Sequence, residues 1–355
     1  MIREGSVMDK IFMHRCLELA KLGGGNVAPN PMVGSVLVYK DRILGEGYHQ
    51  QYGQPHAEVN CINNVAESDR NLIAQSTLYV SLEPCAHFGK TPPCVDLIIE
   101  KKIPKVVIGV RDPFEAVDGK GIEKLLSAGI EVVQNILEDE CKELNKRFFT
   151  FHTQQRPYII LKWAETADGK IGSGNADRLF ITNELTNRLV HKWRSEESAI
   201  LIGTNTALAD NPSLNVRHWK GNDPVRLVID KHLRLPEKLK LFNQQQRTII
   251  FNTVKQEESG SLLHFKLNDE NDFIHQILQS CYQLNIQSIL VEGGAALLQS
   301  FINANFWDEA RVITNSSVKA PYGLAAPELT NAVAIKKEFI LTDTIVYFAN
   351  NVNHS

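Results

Sequence analysis

The stretch that most constrains this chain is SLEPCAHFGKTPPC, from Ser81 to Cys94. It carries two cysteines, each directly after a proline, with eight residues between them. A disulfide loop, a phosphate cradle or half of a metal site could be built there, and each demands a different chain around it. A phosphate loop of the G-x-x-x-x-G-K-T type needs a glycine where this sequence has Pro84, so the FGKT ending does not complete that motif. A disulfide framework belongs to oxidising compartments and small secreted domains. The N-terminal MIREGSVMDK is charged and has no apolar core, unlike a secretory signal. The six cysteines therefore read as free thiols or ligands, and the metal reading leads.

Composition narrows the class further. A length of 355 residues allows two domains. The formal net charge of −3 lacks the basic footprint of a nucleic-acid binder. No run of about 18 apolar residues is present, so no membrane span is expected. The expected setting is the cytoplasm, with neither nucleic acid nor membrane as partner.

Hydrophobic periodicity predicts alternating helices and strands. In the first half these are a helix over Met8–Lys21 stopped by Gly23-Gly24-Gly25, and a hairpin around Lys40-Asp41. A helix from near His56, strand TLYVSL, helix PCVDLIIEKKI, strand KVVIGV and helix GIEKLLSAG follow. EDECKELNKRFFTF reads as one amphipathic helix closing the half. Gln154-Gln155-Arg156-Pro157 breaks the pattern, which places a domain over 1–153 and a second over 154–355. The second restarts with strand PYIILKWA, helix TNELTNRLVHKWRSE and strand AILIG, and continues as another α/β unit. VKQEESGS reads as a solvated loop.

His56-Ala57-Glu58 lies upstream of Pro84-Cys85 and Cys94. Catalytic zinc takes three protein ligands and keeps one position for water, whose pKa it lowers toward neutrality. His56, Cys85 and Cys94 supply three ligands, and Glu58 can carry the proton. This is the ordering of the zinc deaminases, H-x-E with P-C-x-x-C. Each fragment alone is common; their order, with a strand before Glu83 and helices beginning at both ligand sets, is specific. The cysteine spacing departs from the simple pattern by a longer loop holding His87, Lys90 and Thr91, and Lys90 with Thr91 can hold an anion near the metal. Cys61 shares a helix face with Glu58 and reads as packing, as do Cys16, Cys141 and Cys281. A structural zinc in a binding protein, or a nucleobase deaminase, would share some of these residues.

The second half has no G-x-G-x-x-G. Val291-Glu292-Gly293-Gly294 falls between a predicted strand and helix, where glycines let backbone amides approach a phosphate. Arg194 and Arg217 suit bidentate phosphate binding. Trp193 and Trp219 read as core or rim aromatics.

APNPMVGSVLV, HAE, SLEPCAHFGKTPPC and RDPFEAVDGKGI together resemble the deaminase domain of the RibD family of bifunctional riboflavin biosynthesis proteins. LKWAETADGKI, HKWRSEESAILIGTNTALADNPSLNVR and ILVEGGAALLQSFI resemble its reductase domain, in the same order. The resemblance implies a cytidine-deaminase-like three-layer α/β domain followed by a dihydrofolate-reductase-like one, with zinc and NADPH as cofactors. It implies a small pyrimidine ribosyl phosphate as substrate and a homo-oligomeric assembly. By its motifs His56, Cys85 and Cys94 bind zinc, and Glu58 is the proton carrier. Asn30, His87, Lys90, Thr91 and Asp112 touch the pyrimidine or the ribose phosphate. Ala164, Phe180, Thr206, Asp210 and Gly294 line the NADPH site, while Arg178, Arg194, Leu214, Arg217 and Glu292 contact the sugar phosphate. Lys162 and Asp168 are further catalytic candidates. The chain departs from the family at Phe114, where asparagine is usual, at Thr166-Ala167 in place of Ser-Leu, and at Phe180 in place of a frequent Trp.

Overall fold

The computed structural model describes residues 6–173, 179–268 and 272–351, and divides into two compact units, Met1–Gln155 and Arg156–Ser355. The first unit holds strands β1 (Gly34–Tyr39), β2 (Arg42–Tyr48), β3 (Thr77–Leu82), β4 (Lys105–Val110) and β5 (Glu131–Val133). Its helices are α1 (Val7–Lys21), α2 (Ala57–Asn63), α3 (Cys94–Glu100), α4 (Lys120–Ser127), α5 (Glu138–Leu144) and α6 (Lys146–Gln154). The sheet runs β2-β1-β3-β4-β5, with β1 antiparallel to both neighbours and β3, β4 and β5 parallel.

Strand alternation sorts the core onto two faces. Val36, Val38, Tyr79 and Val107 pack with Phe12, Met13 and Cys16 of α1 and Cys141 of α5. Leu37, Leu78, Val80, Val106 and Ile108 face the other way, onto Cys61 of α2, Val95 and Ile98 of α3, and Leu125 of α4. This is the expected three-layer arrangement. Helix α1 starts with a capping box: Asp9 N–H donates to Ser6 Oγ at 3.1 Å and Ser6 N–H to the Asp9 carboxylate at 2.8 Å.

One expected helix is two. EDECKELNKRFFTF breaks at Asn145, which separates α5 from α6. The Asn145 amide is turned onto the backbone of Met32, accepting from its N–H and donating to its carbonyl, both at 2.8 Å. Its buried side chain thus pairs with a loop more than a hundred positions away, and the periodicity carries straight across the break.

The second unit holds β6 (Tyr158–Thr166), β7 (Ala199–Gly203), β8 (Val225–Ile229), β9 (Thr248–Asn252), β10 (Glu257–Ser259) and β11 (Leu262–Lys266). It continues with β12 (Ser288–Val291), β13 (Glu309–Asn315), β14 (Ala332–Ile340) and β15 (Asp343–Asn350). Its helices are α7 (Glu184–Glu196), α8 (Thr204–Asp210), α9 (Phe273–Gln283) and α10 (Ala295–Asn303). The sheet order is β10-β11-β9-β8-β7-β12-β6-β13-β15-β14, parallel from β11 through β13. VKQEESGS, read as a loop, contributes β10, paired antiparallel with β11. All three β10 side chains are exposed, so this edge strand has no apolar alternation to reveal it.

On one face of this sheet Ile159, Leu161, Leu201 and Leu227 pack with Ile277 of α9 and Phe301 of α10. On the other, Ile160, Leu290 and Ile313 meet Val190 and Trp193 of α7. Buried Arg156 holds Asp308 through two bonds of 2.6 and 2.7 Å, and Asp308 also accepts from Ile159 N–H at 2.7 Å. Parallel β6, β7 and β12 end at one edge of the sheet, where open α/β sheets bind ligands. Among the described residues no helix is long and apolar enough to cross a membrane.

All four tryptophans, Trp163, Trp193, Trp219 and Trp307, lie in the second unit. Asn145→Ala strips two part-buried backbone groups of Met32 of their partner and is expected to cost the first unit about 2 kcal/mol. In denaturant the far-UV circular dichroism transition shifts to lower concentration, while the tryptophan fluorescence transition stays in place.

Candidate active sites

In the first unit, β3 delivers Glu83, Pro84 and Cys85; His56 caps α2 and Cys94 opens α3. The three ligand atoms lie within 4.8 Å of one another. His56 Nδ1 is 3.6 Å from Cys85 Sγ and 3.4 Å from Cys94 Sγ. Tetrahedral zinc bonds set a nitrogen–sulfur separation of about 3.5 Å, so the residues fit that ion. Cys85 is drawn well below the usual thiol range, first by the bond it accepts from Cys94 and then by His56, whereas Cys94 is pushed up by that same bond. A cation bound between the two sulfurs would hold both as thiolates.

On its far side His56 Nε2 is 3.4 Å from Thr91 Oγ1, the outer partner that orients a ligating imidazole. Glu58 is buried, within reach of the Cys94 side chain; burial pushes its carboxyl up, and Cys85 adds to that. Glu83 is also buried, and its carboxylate accepts four backbone bonds. These come from Asp112 at 3.3 Å, Gly119 at 3.0 Å, Gly121 at 3.0 Å and Ile122 at 3.2 Å. Gly121 is required there: a Cβ would sit 2.1 Å from the Pro84 carbonyl oxygen. Asp112 is buried beside this staple. Burial pushes its carboxyl up to about 7, opposed by the 2.8 Å bond from Phe114 N–H.

The remaining expected residues ring this centre. Asn30 Nδ2 is 3.1 Å from Nε2 of His49, whose ring stands edge-on to His56 at 5.2 Å. Lys90 Nζ lies 4.0 Å over the ring of Tyr52. His87 stacks edge-on against Phe114 at 5.8 Å, and its buried Nδ1 has no hydrogen-bond partner among the described residues. Cys61 is buried and donates to Gly45 O, which fits packing. Sequence reasoning missed Glu83, His49 and Tyr52. The partners of Glu83 lie 29 to 39 positions away, so no local spacing marks it.

In the second unit, Arg194 in the last turn of α7 grips Glu292, just past β12. Nε and Nη2 donate to its two oxygens at 2.8 and 2.6 Å, with both side chains largely buried. Two expected substrate contacts are thus paired with each other. Burial pushes the Glu292 carboxyl up, but the charges of Arg194 and Lys162 outweigh it and hold it at about 2. Burial lowers the Lys162 ammonium, with Glu292 opposing. A cavity of about 260 Å³ brings Arg194, Asp210, Leu214 and Arg217 together with Lys240, which sequence reasoning missed. Buried Arg226 shapes that wall by donating to the carbonyls of Ser213 at 3.0 Å and Lys240 at 3.3 Å.

Gly293 packs on β7, where a Cβ would meet Ile202 Cα at 2.7 Å, and Gly294 adopts φ +57 with the Thr206 hydroxyl against it. Ala164 lies half-buried on β6, and Phe180 is exposed. Asp168 is engaged in its own turn: it accepts from the Thr166 hydroxyl at 2.5 Å and from Ala320 N–H at 3.0 Å. Arg178 lies outside the described residues.

Residues 6–110 match the cytidine and deoxycytidylate deaminase zinc-binding region, and residues 157–318 the RibD C-terminal domain. The chain is 42% identical to the riboflavin biosynthesis protein RibD of Aquifex aeolicus over 87% of its length and 86% of the relative's. It is 38% identical to that of Actinobacillus pleuropneumoniae over 90% and 88%. Its structure is similar to a Thermotoga maritima diaminohydroxyphosphoribosylaminopyrimidine deaminase/5-amino-6-(5-phosphoribosylamino)uracil reductase, with TM-score 0.87, 37% identity and coverage of 97% and 99%. Acinetobacter baumannii RibD gives TM-score 0.87 at 29% identity, covering 96% and 98%.

Thr91→Ala removes the outer partner of His56 and is expected to weaken zinc binding about 10-fold in a chelator competition. Glu292 gives a pH test. Held at about 2 in the fold, it lies below the ordinary glutamate value of 4.5, so its stabilisation is complete above 4.5 and is lost as pH falls toward 2. The contribution is on the order of 3 kcal/mol. In acid titrations followed by tryptophan fluorescence, Glu292→Gln should flatten the stability slope across that window.

Proposed function

The chain belongs to the RibD family of riboflavin biosynthesis proteins, and from that premise we propose that it catalyses two successive reactions. The first unit hydrolyses the amine of 2,5-diamino-6-(5-phosphoribosylamino)pyrimidin-4(3H)-one to give 5-amino-6-(5-phosphoribosylamino)uracil. The second reduces the ribosyl group of that product to ribityl with NADPH. The deaminase domain is assigned to residues 1–153 and the reductase domain to 154–355. The same proposal takes the enzyme to act in the cytoplasm as a homo-oligomer. The observation that carries it is the three-ligand cage of His56, Cys85 and Cys94 with buried Glu58 beside it.

Zinc bound by His56, Cys85 and Cys94 would supply a Lewis acid with one position open to water, lowering that water's pKa. Glu58 takes a proton from the water and hands it to the departing nitrogen. The balance is a C–NH2 group plus water giving a carbonyl and ammonia. Asn30 and Asp112 orient the ring. His87 and Lys90 hold the ribose phosphate, and Thr91 steadies His56. NADPH would supply a hydride from a site made by Ala164, Phe180, Thr206, Asp210 and Gly294. Arg178, Arg194, Leu214 and Arg217 receive the sugar phosphate, joined by Lys240 from the cavity wall. The sugar oxygen released on ring opening needs a proton, and Lys162, beside Glu292, is the group to give it. Asp168 keeps the turn at the end of β6 in shape.

Mass spectrometry of the products tests both halves. Without NADPH the diaminopyrimidinone should lose only its amine; with NADPH the product should gain two hydrogens as well. Glu58→Gln should keep its zinc and lose deamination by about 10²- to 10⁴-fold. Its reduction of supplied aminouracil should stay at the wild-type rate. A Glu58→Gln protein that still released ammonia at full rate would sink the assignment.

A further inference from the structure

Resting on that reading of the first unit, we propose that His49 is a positioning residue. It fixes the Asn30 amide with its carbonyl oxygen free for the substrate, so that Asn30 accepts an N–H of the pyrimidinone.

His49 directly follows β2 and is 2% exposed. Its backbone N–H donates to Val33 O at 2.9 Å. Its ring sits between two fixed groups. Nδ1 is 3.2 Å from the Pro55 carbonyl oxygen, and Nε2 is 3.1 Å from Asn30 Nδ2. A carbonyl oxygen only accepts, so Nδ1 carries the hydrogen. A neutral imidazole has one N–H, so Nε2 presents a lone pair. Only the amide nitrogen of Asn30 can satisfy that lone pair. Turned over, the amide would set its oxygen against it, two acceptors in contact with nothing between them. The Pro55 carbonyl therefore dictates which way Asn30 faces, through one ring.

That carbonyl is itself held. Asn60, one turn into α2, donates through Nδ2 to Pro55 O at 3.2 Å and to Tyr48 O at 2.9 Å. Pro55 immediately precedes His56, whose ring meets that of His49 edge-on at 5.2 Å. The relay thus runs from the start of α2 through His49 to Asn30, alongside the metal ligand. Asn30 N–H is used by Val27 O at 2.8 Å. Its Oδ1 takes no hydrogen bond among the described residues. What remains of Asn30 is one acceptor, and a pyrimidinone bearing ring and exocyclic N–H groups matches it.

The full-length, zinc-loaded protein with 15N-labelled histidine tests this directly. Long-range proton–nitrogen correlation spectra report the tautomer of each ring, and loss of one signal set in His49→Gln assigns it. A neutral Nδ1–H tautomer is expected; an Nε2–H tautomer overturns the proposal. Kinetics give a second arm. His49→Phe should lower deaminase kcat/KM by about 10- to 100-fold, the effect of losing one buried polar contact to substrate. Zinc content and the reductase rate should stay unchanged. Gln can donate to Pro55 O and accept from Asn30, so His49→Gln should recover part of the loss. Asn30→Ala added to His49→Phe should cost nothing more, because the two act as one unit. Full deaminase activity in His49→Phe, or additive losses in the double variant, overturns the relay. A wild-type protein that released no ammonia would defeat the functional reading instead, and the tautomer would still decide the relay.

Discussion

Four backbone N–H groups converge on the Glu83 carboxylate, and the metal edge of the first unit depends on that convergence. A buried carboxylate with no partners is strongly destabilising; one that accepts several backbone bonds becomes an anchor. Glu83 stands between the end of β3 and Pro84-Cys85. Its oxygens reach Gly121 and Ile122 at the start of α4, where the helix dipole favours a negative charge, and Asp112 after β4. One side chain thus ties the Cys85 segment, the start of α4 and the backbone of Asp112 into a single body. The close approach of Gly121 to the Pro84 carbonyl leaves no room for a side chain, so the staple and the glycine require each other.

The second unit meets the same physical problem with ion pairs. Arg156 and Asp308 join the start of β6 to the start of β13, and Arg194 and Glu292 join the end of α7 to the end of β12. Both are two-point guanidinium–carboxylate pairs, which set direction as well as distance. The second has a consequence at the cavity. With Nε and Nη2 engaged by Glu292, Arg194 offers an incoming anion less of its fork than a free arginine would. Arg217 and Lys240 on the same wall supply the additional positive charge.

Much of the architecture was legible because it rests on periodicity. The hairpin expected around Lys40-Asp41 is β1 and β2, and α1 begins one residue before the expected Met8. The ligand cage was legible because zinc chemistry restricts residue types and order. What escaped has a common cause. Asn145 breaks a helix by bonding Met32; Glu83 gathers amides from a later segment; His49 lies between Pro55 and Asn30. Each acts through hydrogen bonds to groups that only the fold brings near, and none disturbs the apolar pattern. The short strand β10 escaped for a related reason: its ladder is backbone and its side chains are all solvated.

Phe114 departs from the usual asparagine yet keeps a bond that does not depend on its side chain. The position's contribution to Asp112 is its backbone N–H, donated to the carboxylate at 2.8 Å, and any residue except proline can make it. The side chain is then free to change. Here the ring lies between the imidazoles of His87 at 5.8 Å and His152 at 5.0 Å, with Phe148 beyond at 4.4 Å from His152. An asparagine there would bring a polar side chain; phenylalanine packs edge-on against His87 instead. The position thus keeps the backbone bond that shapes the Asp112 carboxylate, while its ring packs among imidazoles that only the fold brings near.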